Sequence, residues 1–316
     1  METITFTCKV ITPMFLAGAD GQTPELRAPS IKGAMRFWWR AMHGHLPIED
    51  VKDQKDKKKI VIKGLKNLET EIFGGGGDNA RRSSFSIQVC PKSEQRPGRY
   101  SLVPHRNNIN GDALNPGNRF EVKLSLSKNT SGSNTKEQGI SGITITQLKA
   151  LFMLTCYLGG LGKRSRRGMG SVEIEEISGS KEGISGQVDL QHIQHWISEF
   201  SPYYQISGEK IVYVYAGGSP QYGYIREIQL GKPYSSMDRV LNSISSATHD
   251  TKQKHGFSYE PSMGYASSNG RFASPVIASV VPGSFRPIIT TLNLAPDRNA
   301  NQASLRVQQD YKNEIL

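Results

Sequence analysis

Cysteine, acidic residues and long apolar runs are all scarce in this chain of 316 residues. The three cysteines, Cys8, Cys90 and Cys156, are odd in number and form no CxxC pair. Neither a disulfide framework nor a thiolate zinc site is expected, and each reads as a small buried hydrophobe. The longest stretch without a charge, Ile211 to Ile225, is interrupted by Gly217, Gly218 and Pro220. It falls short of the ~20 apolar residues that cross a bilayer, so no membrane partner is expected. Met1 to Lys9 has no basic start followed by an apolar block, and it reads as a strand rather than a signal peptide. A cytoplasmic protein is the expectation. No Ser-His-Asp or Cys-His arrangement stands out. His192 and His195 are three residues apart without an obvious third ligand, so no metal and no cofactor are expected.

What is present argues for a folded, basic protein. Hydrophobic residues make up 36% and charged ones 21%, which excludes wholesale disorder. The length is about that of two average domains. Basic residues outnumber acidic ones 39 to 28, a net charge of +11 that speaks for a polyanionic partner.

Thr3 to Val10 alternates, with Ile4, Phe6, Cys8 and Val10 on one face, as a half-buried strand does. Ser30 is expected to cap a helix running to about His43. Its residues Ile31, Met35, Trp38 and Met42 recur at helical spacing as a core stripe. Lys32, Arg36 and Arg40 form a second, basic stripe, and nothing acidic lies between Ala28 and Leu46 to offset their repulsion. Trp38 is assigned to the core. Trp39 lies between the two stripes, placed for packing or for stacking on a base. Val51 to Lys66, with seven lysines and two aspartates, reads as a mobile surface loop, a solvated charge run or a loose RNA or partner contact.

Strands follow at Phe85 to Val89 and Phe120 to Leu126, separated by the polar insertion Pro91 to Arg119. After a Gly/Ser-rich loop from Lys128 to Gly142, a helix capped by Thr146 runs to Gly159-Gly160, and a strand covers Ser171 to Ile177. This order is the split βαβ pattern of ferredoxin-like and RRM-like domains, closing near residue 180 with a linker from Ser178 to Gly186. The second half offers a helix over Leu190 to Phe200, a strand over Ile211 to Tyr215 and a helix over Ser236 to Ala247. A hairpin then turns at Pro282-Gly283, and Asn299 to Ile315 ends the chain as a helix. The expected fold is α+β: two tandem ferredoxin-like domains, 1–180 and 181–316, the second degenerate.

The sharpest local signal is Gly159 to Gly170, GGLGKRSRRGMG, where five glycines frame Lys163, Arg164, Arg166 and Arg167. Glycines allow close backbone approach, consecutive N–H groups make an anion nest, and four cations attract phosphates. No Ser or Thr follows the lysine, so this is not a Walker A loop; it follows a helix rather than a strand, so it is not a dinucleotide fingerprint. Stripe and loop are expected to bound one groove. The strand faces lack paired aromatics and no RNP motif occurs, so RNA would lie on the helix and loop side, held by its phosphates.

Three segments carry a family resemblance. Leu26 to Ala41, LRAPSIKGAMRFWWRA, Gly162 to Val172, GKRSRRGMGSV, and Arg271 to Val276, RFASPV, resemble motifs of the RAMP superfamily of CRISPR proteins. Among RAMPs they are most similar to the first RAMP subunit of the type III-B (Cmr) effector complex. The resemblance implies a non-catalytic subunit of an RNA-guided antiviral machine that holds the 3′ part of the CRISPR RNA and meets target single-stranded RNA. Its partners would be those RNAs and the other RAMP subunits of the Cmr complex. The expected RNA-binding residues are Arg27, Lys32, Arg36, Arg40, Gly160, Gly162, Lys163, Arg164, Arg166 and Arg167.

Two rivals remain open at this point. A metal-independent endoribonuclease that processes CRISPR RNA needs a general base and acid. His43 and His45, at the end of the basic helix, are placed for that work, but they also read as surface histidines favoured by the helix dipole. His105, beside Arg106, is a weaker candidate. The other rival is a plain assembly module whose charge meets an acidic protein. The tyrosines at 213, 215, 222, 224 and 234 suit core or subunit contacts better than base stacking.

Overall fold

A computed structural model of the chain describes residues 2–18, 20–21, 23–77, 80–92, 94, 97–106, 109–127, 142–178, 188–216, 222–267, 270–293 and 303–316. The first half is built from β1 (Thr3–Val10), α1 (Ala28–Met42), β2 (Val51–Lys52), β3 (Ile60–Ile62), α2 (Leu65–Phe73), β4 (Phe85–Pro91), β5 (Pro97–Ser101), β6 (Asn110–Leu114), β7 (Arg119–Leu126), α3 (Ile145–Leu158) and β8 (Val172–Ser178). Its main sheet runs β4-β7-β1-β8, with every neighbour antiparallel. Counting only these four strands in chain order, that is 2-3-1-4, the arrangement of the split βαβ fold. The alternation in β1 buries Ile4, Phe6, Cys8 and Val10 beneath α1 and α3, as the sequence predicts.

Several local expectations need correction. α1 starts at Ala28, with Pro29 in its first turn and Arg27 extended at the N-cap; Ser30 is inside the helix. α3 is capped by Thr144, not Thr146. The Thr144 hydroxyl accepts the Gln147 N–H and the Gln147 side chain returns the bond to the Thr144 N–H. The lysine-rich stretch is not a loop: it forms the β2–β3 hairpin and runs into α2. The insertion after β4 contains the β5–β6 hairpin.

The second half contains α4 (Leu190–Ser198), β9 (Tyr204–Ser207), β10 (Lys210–Tyr213), β11 (Ile225–Leu230), α5 (Met237–His255), α6 (Tyr259–Met263), β12 (Tyr265–Ser267), β13 (Gly270–Phe272), β14 (Val276–Val281), β15 (Arg286–Leu292) and α7 (Leu305–Asn313). Its sheet order is β14-β15-β11-β10-β9, all antiparallel. β11, α5, β14 and β15 reproduce the first three strands and first helix of a split βαβ unit. The place beside β11 is taken by β10, which precedes it in the chain. The degeneracy is therefore a rearranged strand order. β9 and β11 are absent from the sequence reading because their short runs carry Gln205, Arg226, Glu227 and Gln229 among the apolar residues.

The boundary expected at residue 180 and the loop from Lys128 lie outside the described residues. Across it the halves share one core: Tyr204, Ile211, Ile225, Ile277 and Ile288 cluster with Trp38, Trp39 and Phe152. Among the described residues no helix is long and apolar enough to cross a membrane. α7 is fastened by an ion pair with almost no exposure: Lys312, 2% exposed, meets Glu227, which also takes Lys210 at 3.3 Å and Arg226 at 3.4 Å. Removing one partner strands the other charge in a dry site. Glu227→Ala is expected to lower the unfolding free energy by about 3 kcal/mol in urea titrations.

Candidate nucleic-acid interface

The basic stripe of α1 does not stand open. α2 supplies Glu69, whose carboxylate meets Arg36 Nε at 3.4 Å and Arg40 Nε at 3.5 Å. Arg36 also donates to the Phe73 and Gly74 carbonyls at 3.3 and 2.9 Å, and its guanidinium lies 5.4 Å over the Phe73 ring. It thereby closes the C-terminus of α2, where cations are favoured. Lys32 lies over the Phe85 ring at 5.2 Å, and burial lowers its pKa. Arg40 keeps 46% of its side chain exposed. Arg27 holds its Nε buried without a partner.

The tandem tryptophans are both core. Trp38 and Trp39 are each 2% exposed. Trp38 needs Gly159 beside it: a Cβ there would come 2.6 Å from its Nε1. Trp39 packs on His43, with ring centroids 4.2 Å apart. His43 is 3% exposed, which corrects the surface-histidine expectation, and its Nδ1 lies 2.6 Å from the Trp39 carbonyl. Burial pushes its pKa down to about 4, so the ring is neutral at physiological pH. The tyrosines of the second half close the helix above it. Tyr204 donates to Ala41 O at 3.2 Å, and Tyr222 donates to the carbonyls of His43 and Leu46.

The glycine-rich loop joins α3 to β8 and runs as a seam between the halves. Much of its backbone is already committed within the protein. The N–H groups of Gly160, Leu161, Lys163, Gly168 and Gly170 already bond the carbonyls of Thr155, Gly170, Phe15, Ala278 and Pro13. Gly160 and Gly170 take positive φ of 79° and 68° where strands of the loop cross. A Cβ on Gly170 would fall 1.8 Å from Leu161 O, and one on Gly160 2.5 Å from Gly170 O. A Cβ on Gly162 would lie 2.4 Å from Phe15 O.

The four loop cations divide into two pairs. Arg167 donates to Val276 O at 2.9 Å, Ser274 Oγ at 3.1 Å and Met263 O at 3.2 Å, with its guanidinium over the Tyr311 ring. Arg166 donates to Ser274 O and lies 5.0 Å over Phe37 of α1. Ala278 N bonds Arg166 O at 3.2 Å. The RFASPV segment is thus the receptor for the glycine-rich loop. Phe37 is about 100° around α1 from Arg36 and about 60° from Arg40, so the loop meets α1 beside the Arg40 end of the stripe.

Lys163 and Arg164 are different. Both are exposed, and among the described residues neither side chain makes a hydrogen bond or ion pair. Arg164 holds φ at 59°, a left-handed conformation that costs a non-glycine residue about 1 kcal/mol. Partial burial of its charged end and the nearby Arg167 lower its pKa, so an added anion would relieve it. Lys163 borders a cleft of about 320 Å³ that it shares with Phe15, Arg99, Leu102, Asn110 and Asp112. Arg99 also lines a second cleft of about 410 Å³ with Met169, Asp238 and Leu241. Beyond Arg164 lies a histidine corner. The His105 and His249 rings stack at 5.1 Å, His105 Nδ1 is 2.7 Å from Ser245 Oγ, and Arg106 donates to His249 Nδ1 at 3.2 Å. Burial, His249 and Arg106 lower the His105 pKa. His249 was not a sequence candidate, because the contact to His105 spans the two halves.

The RAMP superfamily model matches residues 7–173. The chain belongs to the RAMP superfamily. This RAMP is 28% identical over 186 residues to the CRISPR system Cmr subunit Cmr1-2 of Pyrococcus furiosus, covering 54% of this chain and 95% of that one. It is 34% identical over 171 residues to Cmr subunit Cmr1-1 of the same organism, covering 49% of this chain and 42% of that one. In structure it matches apo Cmr1 from Pyrococcus furiosus over 99% of this chain and 97% of the other, with a TM-score of 0.58 at 21% identity. A chain of the type III-B Cmr-beta complex bound to cognate target RNA matches over 99% of both, with a TM-score of 0.56 at 10% identity. These likenesses establish the fold of the RAMP.

Two outcomes follow from the division of the loop. Arg167→Ala is expected to lower stability by about 2 kcal/mol, since it removes the donor to the Met263 carbonyl and one of the donors to the Val276 carbonyl, whereas Arg164→Gly is expected to leave it unchanged or raise it; chemical denaturation reads both. His43 is lowered in the folded state, so the unfolded chain binds the extra proton between pH 6.5 and 4. Stability therefore rises with pH across that window and falls by about 3 kcal/mol on acidification through it. His43→Gln is expected to flatten that part of the pH profile relative to the parent.

Proposed function

We propose that this chain is a non-catalytic, RNA-binding subunit of a type III-B CRISPR effector complex. In that reading it holds the 3′ end of the CRISPR RNA and helps capture target single-stranded RNA beside the other RAMP subunits. Its kinship supports the effector assignment: the relatives are named as Cmr subunits, and the Cmr-beta match was solved with cognate target RNA. The observation that carries the RNA reading is the pair Lys163 and Arg164, exposed and unpartnered on the glycine-rich loop, with Arg164 held in a strained backbone conformation. Strain of that kind persists where surrounding structure imposes it, commonly at ligand sites.

Phosphates would run along the Lys163 cleft toward Arg164 and Arg106, with Arg99 on the far wall. Such contacts grip without reading sequence, and pairing with the guide would supply specificity. Arg166 and Arg167 serve this grip indirectly, by fixing the loop. Arg36 is committed to α2, which leaves Arg40 and Lys32 as secondary contacts on α1. The endoribonuclease reading through His43 meets a neutral ring sealed under Trp39 and Phe200, unable to reach a ribose hydroxyl.

Filter binding of the purified chain to unrelated single-stranded RNAs at several salt concentrations tests this. Lys163→Ala with Arg164→Ala is expected to weaken all of them and to reduce the slope of log K against log salt by about 1.4, two contacts at ~0.7 each. Unchanged affinity and slope would reject the loop as the RNA site.

A further inference from the structure

The β2–β3 hairpin is an arm that the fold does not use. Alternation along β3 places Ile60 and Ile62 on one face and Val61 on the reverse; Val51 pairs opposite Ile62 and Lys52 opposite Ile60, with a register irregularity between Val51 and Lys52. Val51, Ile60, Ile62 and Val61 are 41%, 48%, 47% and 56% exposed, respectively, and the hairpin joins no other strand among the described residues. A two-stranded ribbon with bare aliphatic faces is marginal in water. This one is held from its base. Leu65 N and Lys66 N bond the carbonyls of Pro47 and Ile48 at 2.8 and 3.2 Å, and Asp50 accepts Gly64 N and Asn67 Nδ2, each at 2.7 Å. Gly64 passes so close to the other strand that a Cβ would lie 2.3 Å from the Glu49 carbonyl carbon.

The tip is cationic. Lys52, Lys55, Lys57, Lys58 and Lys59 form no ion pair among the described residues. The two aspartates are occupied with the turn: Asp53 accepts the N–H of Lys55 and Asp56, and Asp56 that of Lys58. We propose that this arm docks a second protein subunit whose contact surface is an aliphatic strip bordered by carboxylates. Lysines alone would suit RNA as well. The aliphatic face does not: Val and Ile side chains neither stack on bases nor bond phosphates, and nucleic-acid interfaces are polar and charged. A protein surface satisfies both features, with an apolar centre and a complementary charged rim.

The inference rests on the effector-subunit reading, and the experiment separates the two. The full chain is coexpressed with CRISPR RNA and the other RAMP subunits of its complex, one of which carries the tag. Incorporation is read by native mass spectrometry, and RNA affinity is measured on the isolated chain. Val51→Ser/Ile60→Ser/Ile62→Ser touches no buried residue, and its melting temperature serves as the fold control. That variant is expected to lose incorporation at least tenfold with unchanged RNA affinity. Reversing Lys55, Lys57, Lys58 and Lys59 to Glu is expected to do the same most strongly at low salt. Failure of the parent chain to incorporate would overturn the subunit reading. Normal incorporation of the serine variant would overturn the arm assignment alone, as would a loss that tracks a matching fall in RNA affinity, which marks the arm as a nucleic-acid contact.

Discussion

The Arg167 guanidinium, laid across the carbonyls of Val276 and Met263 and the hydroxyl of Ser274, holds the two halves of the molecule in one geometry. Around it the loop backbone bonds β14 in both directions, Gly168 N to Ala278 O and Ala278 N to Arg166 O. Thr12 and Ser171 extend the seam: both hydroxyls donate to Gly168 O, and Ser171 Oγ accepts the Val280 N–H. A buried network of this kind has little tolerance for a missing partner, because each unsatisfied group retains its full desolvation cost. The glycines serve that network: they let strands of the loop cross at distances no side chain permits.

A consequence is a separation of duties among like charges. Two arginines are consumed in holding the loop, and the loop in turn presents Lys163 and Arg164 toward the insertion and α5. The same economy recurs on α1. Arg36 finishes α2 and shares the Glu69 carboxylate with Arg40, which stays half exposed. Net positive charge therefore overstates the surface available to a polyanion.

Much of the first half is legible in sequence because its signals are strong and local. The period-two alternation of β1, the core stripe of α1 and the glycine stop of α3 each follow from spacing alone. The loop, too, stands out by its glycine and cation density. What sequence could not show is which partner each cation meets. Glu69 lies nearly thirty residues beyond Arg40, in a segment whose lysines masked a helix, and Ser274 lies more than a hundred beyond Arg166. His43 misled for a related reason: its helix-end position suggests a surface, but Tyr204 and Tyr222 come over from the second half to cover that end. The RFASPV motif was visible as a resemblance, yet only the fold shows that it is what the glycine-rich loop binds.

The account turns on Lys163 and Arg164 facing nucleic acid while Arg166 and Arg167 face protein. Ultraviolet crosslinking of the full chain to photoreactive single-stranded RNA, mapped by mass spectrometry, tests this directly. Crosslinked nucleotides on the Lys163–Arg164 turn and the neighbouring 99–106 segment, with none on 271–278, are the predicted pattern. Adducts confined to α1 or to the sheet faces, with the loop unlabelled, would contradict it.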